Sequence, residues 1–264
     1  GDFGHLIGGS ATPRLDRSRL DKGKLVLSAE DRFKADSLTI TELFQSATYE
    51  VPPFQRDYSW TKEQCEALWG DIRTLREGHV NAHFLGPMVV IRHGEKHQKN
   101  YLVIDGQQRL TTLQMIIALI RDHWIELNPG KRDTPVGPRP FEEICQSLLQ
   151  SGAPSYTKTF LPNWHIRDVF FDYIQRELTD EARKKLVKAS DYAGKSSEHT
   201  DELFNAYVFF REKIVKLTKE ETLILEEKLL NDLLILRIDA VEIENAFILF
   251  DTLNNRGLDL TQGD

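Results

Sequence analysis

The stretch Tyr101 to Gln114, YLVIDGQQRLTTLQ, restricts the fold of this chain more than any other segment. Tyr101 to Ile104 are apolar and partly β-branched, which suits a short buried strand, and Asp105-Gly106 supplies the turn chemistry that ends it. A helix is expected at once. Leu110, Leu113, Ile116, Ile117, Leu119, Ile120 and Trp124 cover more than one helical face, the pattern of a central, well-buried helix.

A strand, a glycine turn and a helix opening with polar residues make an anion pocket, because the first backbone N–H groups of a helix lack internal partners. Gln107, Gln108, Arg109, Thr111 and Thr112 crowd that mouth. Arg109 offers a planar fork of donors suited to phosphate, the two amides donate or accept, and Asp105 can hold a metal ion or a water. An Asp turn followed by a solvated first helical turn would use the same residues. The density of polar groups favours a site.

IDGQQRLTTL resembles the signature of the GmrSD-type restriction endonuclease N-terminal domain, a branch of the ParB and sulfiredoxin-like superfamily. Two further segments carry the resemblance: Val51 to Trp60, VPPFQRDYSW, is similar to the family's upstream motif, and Phe250 to Leu260, FDTLNNRGLDL, to its downstream Leu-Asn, Arg-Gly element. The likeness runs from about Leu38 to Asp264, with the motifs in the family's order. It implies an α+β fold, a small ParB/sulfiredoxin-like mixed sheet with packed helices followed by a mostly helical extension. It also implies NTP hydrolysis and sensing of modified DNA, and an HNH-type nuclease domain beyond this one. Thr261 reads as the N-cap of a helix cut off at Asp264, which fits a longer protein.

The formal net charge of -7 argues against a protein that wraps nucleic acid with its whole surface, while leaving room for a local basic groove. No apolar run reaches the ~18 residues of a membrane span, and the N-terminal stretch lacks the pattern of a signal peptide, so a cytoplasmic protein is expected. Cys65 and Cys145 stand far apart among apolar helix residues, which suits buried reduced thiols. His79 with His83, and His93 with His97, have i,i+4 spacing, but neither pair has the accompanying ligands of a zinc site.

Along the chain, residues 1–36 read as an arm without sustained periodicity and 37–127 as the core carrying the QR and DGQQR motifs. SLTITELF within Ser37 to Ser46 suits a first strand running into a short helix. Pro52-Pro53 forces an extended entry to Gln55 and Arg56. A helix then begins near Thr61, where Thr61 and Gln64 fit a capping box, and buries Cys65, Leu68, Trp69, Ile72 and Leu75 before Gly78 stops it. Met88 to Ile91 and Tyr101 to Ile104 suit a hairpin with a long polar loop. Residues 128–140, rich in Pro and Gly, are expected to lack regular structure, and helices dominate 141–264 apart from a returning strand, Leu233 to Ile238. Ala189 to Ser196, ASDYAGKS, satisfies a relaxed Walker A pattern but follows a charged amphipathic stretch where a phosphate loop needs a buried strand.

Three functions stay open on these residues. In the first, a sensor binds and hydrolyses an NTP, with GTP favoured and Mg²⁺ as cofactor. Asp105, Gln107, Gln108 and Arg109 would be catalytic and Asp105 the metal carboxylate; Gln55, Arg56, Gly106, Thr111, Thr112, Asn254 and Arg256 would bind the nucleotide. In the second, the same groups form a phosphodiesterase that nicks DNA, although no ββα-metal motif is present. In the third, Pro53, Phe54 and Tyr58 read a phosphorothioate or a glucosylated base without turnover, apolar and aromatic surfaces being suited to soft, weakly hydrated groups.

Overall fold

The computed structural model describes residues 20–21, 24–25, 32–94, 99–128, 135–136, 139–140, 148–149, 159–176 and 200–255. Its centre is a mixed sheet built from β1 (Phe33–Thr39), β2 (Thr48–Glu50), β3 (His83–His93), β4 (Asn100–Asp105), β5 (Phe160–Leu161) and β6 (Leu233–Ala240). The strand order is β1-β6-β3-β4-β2-β5. β6 runs antiparallel to β1 and parallel to β3, β3 and β4 form the expected antiparallel hairpin, and β2 lies parallel to both β4 and β5. β1 begins at Phe33, inside the segment read as an arm.

The helices follow from capping and periodicity. Thr39 caps α1 (Ile40–Ser46) through a reciprocal box with Glu42. In α2 (Lys62–Arg76) the Thr61 N–H donates to Gln64 Oε1 at 2.6 Å, and Cys65, Leu68, Ile72 and Leu75 are buried. Two closing bonds end α2 around Gly78: Gly78 N–H to the Leu75 carbonyl at 3.1 Å and His79 N–H to the Thr74 carbonyl at 3.2 Å. Burial pushes the Cys65 thiol up to about 12, so the residue stays a packed thiol. Cys145 lies outside the described residues.

Every residue of α3 (Gln107–Leu127) from Gln107 to Trp124 is buried. This helix is the axle of the molecule, packed against Phe170–Gln175, the π-helical continuation of α4 (Trp164–Val169), and against α5 (Asp201–Ile214) and α6 (Lys219–Asn231). The aromatic stripes do the packing: Ile166, Phe170 and Ile174 are buried in one helix, and Leu203, Tyr207, Phe210 and Ile214 in another. On the other face of the sheet, α7 (Ile243–Asn255) covers Val89, Ile104 and Ala240 with Ala246, Leu249 and Leu253.

Two expectations change. Residues 128–140 do hold a small antiparallel ladder, Val136 opposite Arg139, because proline removes a donor only at its own position and these two residues retain theirs. Another such ladder, Leu20–Asp21 with Lys24–Leu25, occurs in the N-terminal arm, where no periodicity could announce so short a pairing.

The turn from β4 into α3 admits glycine alone. Gly106 has φ 103°, and a Cβ there would stand 2.9 Å from the Met88 Cβ. Gly106→Ala is expected to destabilise the protein by about 2–4 kcal/mol through left-handed strain plus overlap. Gly78→Ala, at φ 74° but with nothing within 4 Å of the added carbon, should lose only about 1–2 kcal/mol. Urea unfolding of the two variants checks the order; equal losses would mean that Met88 yields freely.

Candidate functional site

The first two sequence motifs meet in space, and the two glutamines of DGQQR join them. Gln107 Nε2 donates to the Arg56 carbonyl at 3.0 Å and lies 3.4 Å from Gln55 Oε1, while Gln55 Nε2 reaches back to the Ile104 carbonyl at 2.8 Å. Gln108 donates to the Asp57 carbonyl at 3.0 Å and accepts from the Ser59 N–H at 3.0 Å. Side chains on the first turn of a buried helix therefore take over the main-chain bonding of a loop that has no strand partner there. The loop is held at Gln55, Arg56, Asp57 and Ser59.

Arg109 does something other than await a phosphate. It is only 4% exposed, and its terminal nitrogens donate to the carbonyls of Leu85 at 2.9 Å and Pro87 at 2.6 Å. These carbonyls flank Gly86, whose φ is 102°, where β3 carries an extra residue relative to β6. A bulge interrupts the ladder, and the guanidinium brings donors to the carbonyls on either side of it.

Thr111 and Thr112 also turn inward, donating to the Gln107 and Gln108 carbonyls one turn back, each at 2.8 Å. The Tyr58 hydroxyl meets the Thr112 hydroxyl at 2.8 Å inside the core, so Tyr58 fastens the loop to α3 instead of offering its ring to DNA. Asp105 is half-buried at the end of β4, and Gly106, as the first residue of the helix turn, brings no side-chain cap to the backbone N–H groups behind it. Arg56 and Pro53 are exposed, and Phe54 is 58% exposed.

Residues 40–264 match the family described as GmrSD restriction endonuclease, N-terminal domain. The chain belongs to that family. Its setting is thus a restriction system, an enzymatic one whose partner is DNA. None of the curated proteins matches the chain. Among the described residues of this GmrSD N-terminal domain no helix is long and apolar enough to cross a membrane.

The third motif approaches through α7. Phe247 packs on Phe54 with ring centroids 6.1 Å apart, and Ala246 contacts the β4 end near Ile104. Asn254 lies in the last turn of α7; its side chain and all of Arg256 fall outside the described residues, as do the 189–196 loop and His97. His79 and His83 each turn to a different carboxylate, Glu77 at 3.1 Å and Asp71 at 3.2 Å.

A fourth segment of this GmrSD domain joins the loop, one that periodicity did not disclose. Buried Asn163 donates to the Gln55 carbonyl at 2.8 Å and the Arg56 carbonyl at 3.2 Å, and accepts from the His165 N–H at 3.0 Å as the N-cap of α4. His165 Nδ1 then stands 2.6 Å from Asp57 Oδ1. Asn after Pro162, just ahead of an apolar helical stripe, was the one available signal for a cap.

Arg109→Ala is expected to remove about 3 kcal/mol of stability, since two buried carbonyls lose charge-assisted partners. Arg109→Lys should recover only part of it, an ammonium lacking the fork that spans both. Thermal and urea unfolding give the values. An Arg109→Ala protein of undiminished stability that has lost activity would return this residue to ligand contact.

Proposed function

We propose that this domain is the nucleotide-hydrolysing, DNA-modification-sensing part of a restriction protein. The observation that carries the reading is the interlock of the Gln55–Asp57 loop with the first turn of α3 by Gln107 and Gln108, which sets the exposed Arg56 beside an uncapped helix N-terminus. The backbone N–H groups of a helix N-terminus, with an exposed arginine on the adjoining loop, suit phosphate oxygens.

In this reading the triphosphate lies across the mouth between the loop and Gly106. Arg56 supplies positive charge to the oxygens that gain it in the transition state, and Arg256 is proposed as a second source from the end of α7. Gln107 and Gln108 hold the loop in register. Arg109 acts from within the core by fixing the bulge against which the turn is built.

Among the described residues no group of three or more His, Cys, Asp or Glu side chains is placed to cage a metal. Magnesium does not need one, since it is bound by one or two carboxylates with phosphate oxygens and water completing the shell. Asp105, half-buried at the edge of the mouth, is the carboxylate that fits. The ion would neutralise the phosphate charge.

Modified DNA is the proposed signal, a phosphorothioate or a glucosylated base. Phe54, Phe247 and Trp164, the last 67% exposed, provide apolar surface close to Arg56, with Pro53 rigidifying the approach. Such surface favours soft, weakly hydrated groups and stacked bases.

Phosphate release should be measured with each of four NTPs and Mg²⁺, with and without DNA carrying either modification. GTP is expected to turn over best, and Arg56→Ala to lower turnover roughly 100-fold while the unfolding midpoint stays unchanged. Phe54→Ala should weaken modified-DNA binding about tenfold and leave nucleotide affinity in place. Failure of every NTP to release phosphate would sink the reading, and nicking of supercoiled plasmid by the protein would favour direct cleavage.

A further inference from the structure

We propose that His165, oriented by Asp57, accepts the proton of the attacking water in the hydrolysis described above, on which this inference rests. The two side chains meet at 2.6 Å between His165 Nδ1 and Asp57 Oδ1. An ionised carboxylate only accepts hydrogen bonds, so the imidazole places its proton on Nδ1, and Nε2 becomes the basic nitrogen of the neutral ring. The pair remains in contact with solvent, the His165 side chain being 46% exposed and that of Asp57 29%.

Its position is set by bonds that converge from two elements. Gln108, in the first turn of α3, holds the Asp57 carbonyl at 3.0 Å. Asn163, at the start of α4, holds the carbonyls of Gln55 and Arg56 and receives the backbone N–H of His165. The imidazole therefore belongs to the same rigid unit as Arg56 and the α3 N-terminus, although it lies more than a hundred residues away along the chain, at a sequence separation of 108 from Asp57. A surface ion pair serving only as a latch would duplicate what buried Asn163 already does with two bonds to the same loop.

The step balances without a further reagent. The water oxygen bonds to the terminal phosphorus as the bond from that phosphorus to the bridging oxygen breaks, and the electron pair of that bond leaves with the nucleoside diphosphate. One water proton passes to His165 Nε2. The imidazolium so formed is compensated by the Asp57 carboxylate and releases its proton to solvent or to the product phosphate.

The test is chemical rescue in the intact protein. His165→Ala is expected to lower kcat roughly 100-fold, within the range a positioned general base contributes, with KM for the nucleotide within about twofold of wild type. Added imidazole should restore a saturable part of the lost rate, which a purely structural loss would not show. Asp57→Asn keeps the shape of the side chain but makes it a donor, moving the ring proton to Nε2; it should be impaired to a similar degree and stay insensitive to imidazole. If His165→Ala unfolds, His165→Gln carries the same expectation for kcat and KM. Turnover in the His165 variants within about threefold of wild type would overturn the proposal while leaving NTP hydrolysis standing. A loss that imidazole does not relieve and that parallels weaker nucleotide binding would overturn it in favour of a latch. A wild-type protein inert toward all four NTPs would remove both.

Discussion

Two main-chain carbonyls beside a bulge in the middle of a sheet, those of Leu85 and Pro87, accept from one buried guanidinium. The bulge at Gly86 bends β3 where Met88 must come close to Gly106, and the close approach decides where α3 begins. The position of Gln107 and Gln108 follows from that start, and the path of the Gln55 to Ser59 loop follows from the glutamines. A core arginine thus shapes the outer site without entering it. Burying such a charge is tolerable because its forked donors are matched by carbonyl dipoles.

The same chain of dependence explains what the sequence could and could not disclose. The strand, the glycine turn and the central helix were legible because periodicity and turn chemistry are local, and α2 was legible for the same reason down to its Thr61 and Gln64 cap. The direction in which a polar side chain points is not local. Arg109, Thr111 and Thr112 have the composition of a ligand pocket, yet their partners are the bulge carbonyls and the preceding helical turn. Tyr58 has the composition of a stacking surface, yet its hydroxyl meets that of Thr112 inside the core. Asn163 and His165 escaped notice because what defines them is a loop distant in the chain.

The arrangement divides labour between buried and exposed groups. Glutamine side chains on α3 and one asparagine on α4 hold the backbone of the loop, while Phe54 and Arg56 are exposed. Phe54 touches α7 through Phe247, and Asp57 touches α4 through His165. A ligand that displaced either neighbour would act on a loop whose other anchors stay in place, so that small shifts are passed between elements instead of being absorbed by a flexible strand of chain.

β6 has a bearing on how this protein comes into being. It is threaded between β1 and β3, and its Arg237 ties Asp36 of β1 to Tyr49 of β2 while stacking over Tyr101 of β4. β6 follows all of the other strands and the helices α1 to α6 along the chain. Until Leu233 to Ala240 emerge, the nascent chain exposes two unsatisfied strand edges, one on β1 and one on β3. The sheet therefore closes only when residues from the far end of the chain return to it, and strands on both sides of the proline-rich segment belong to one ladder.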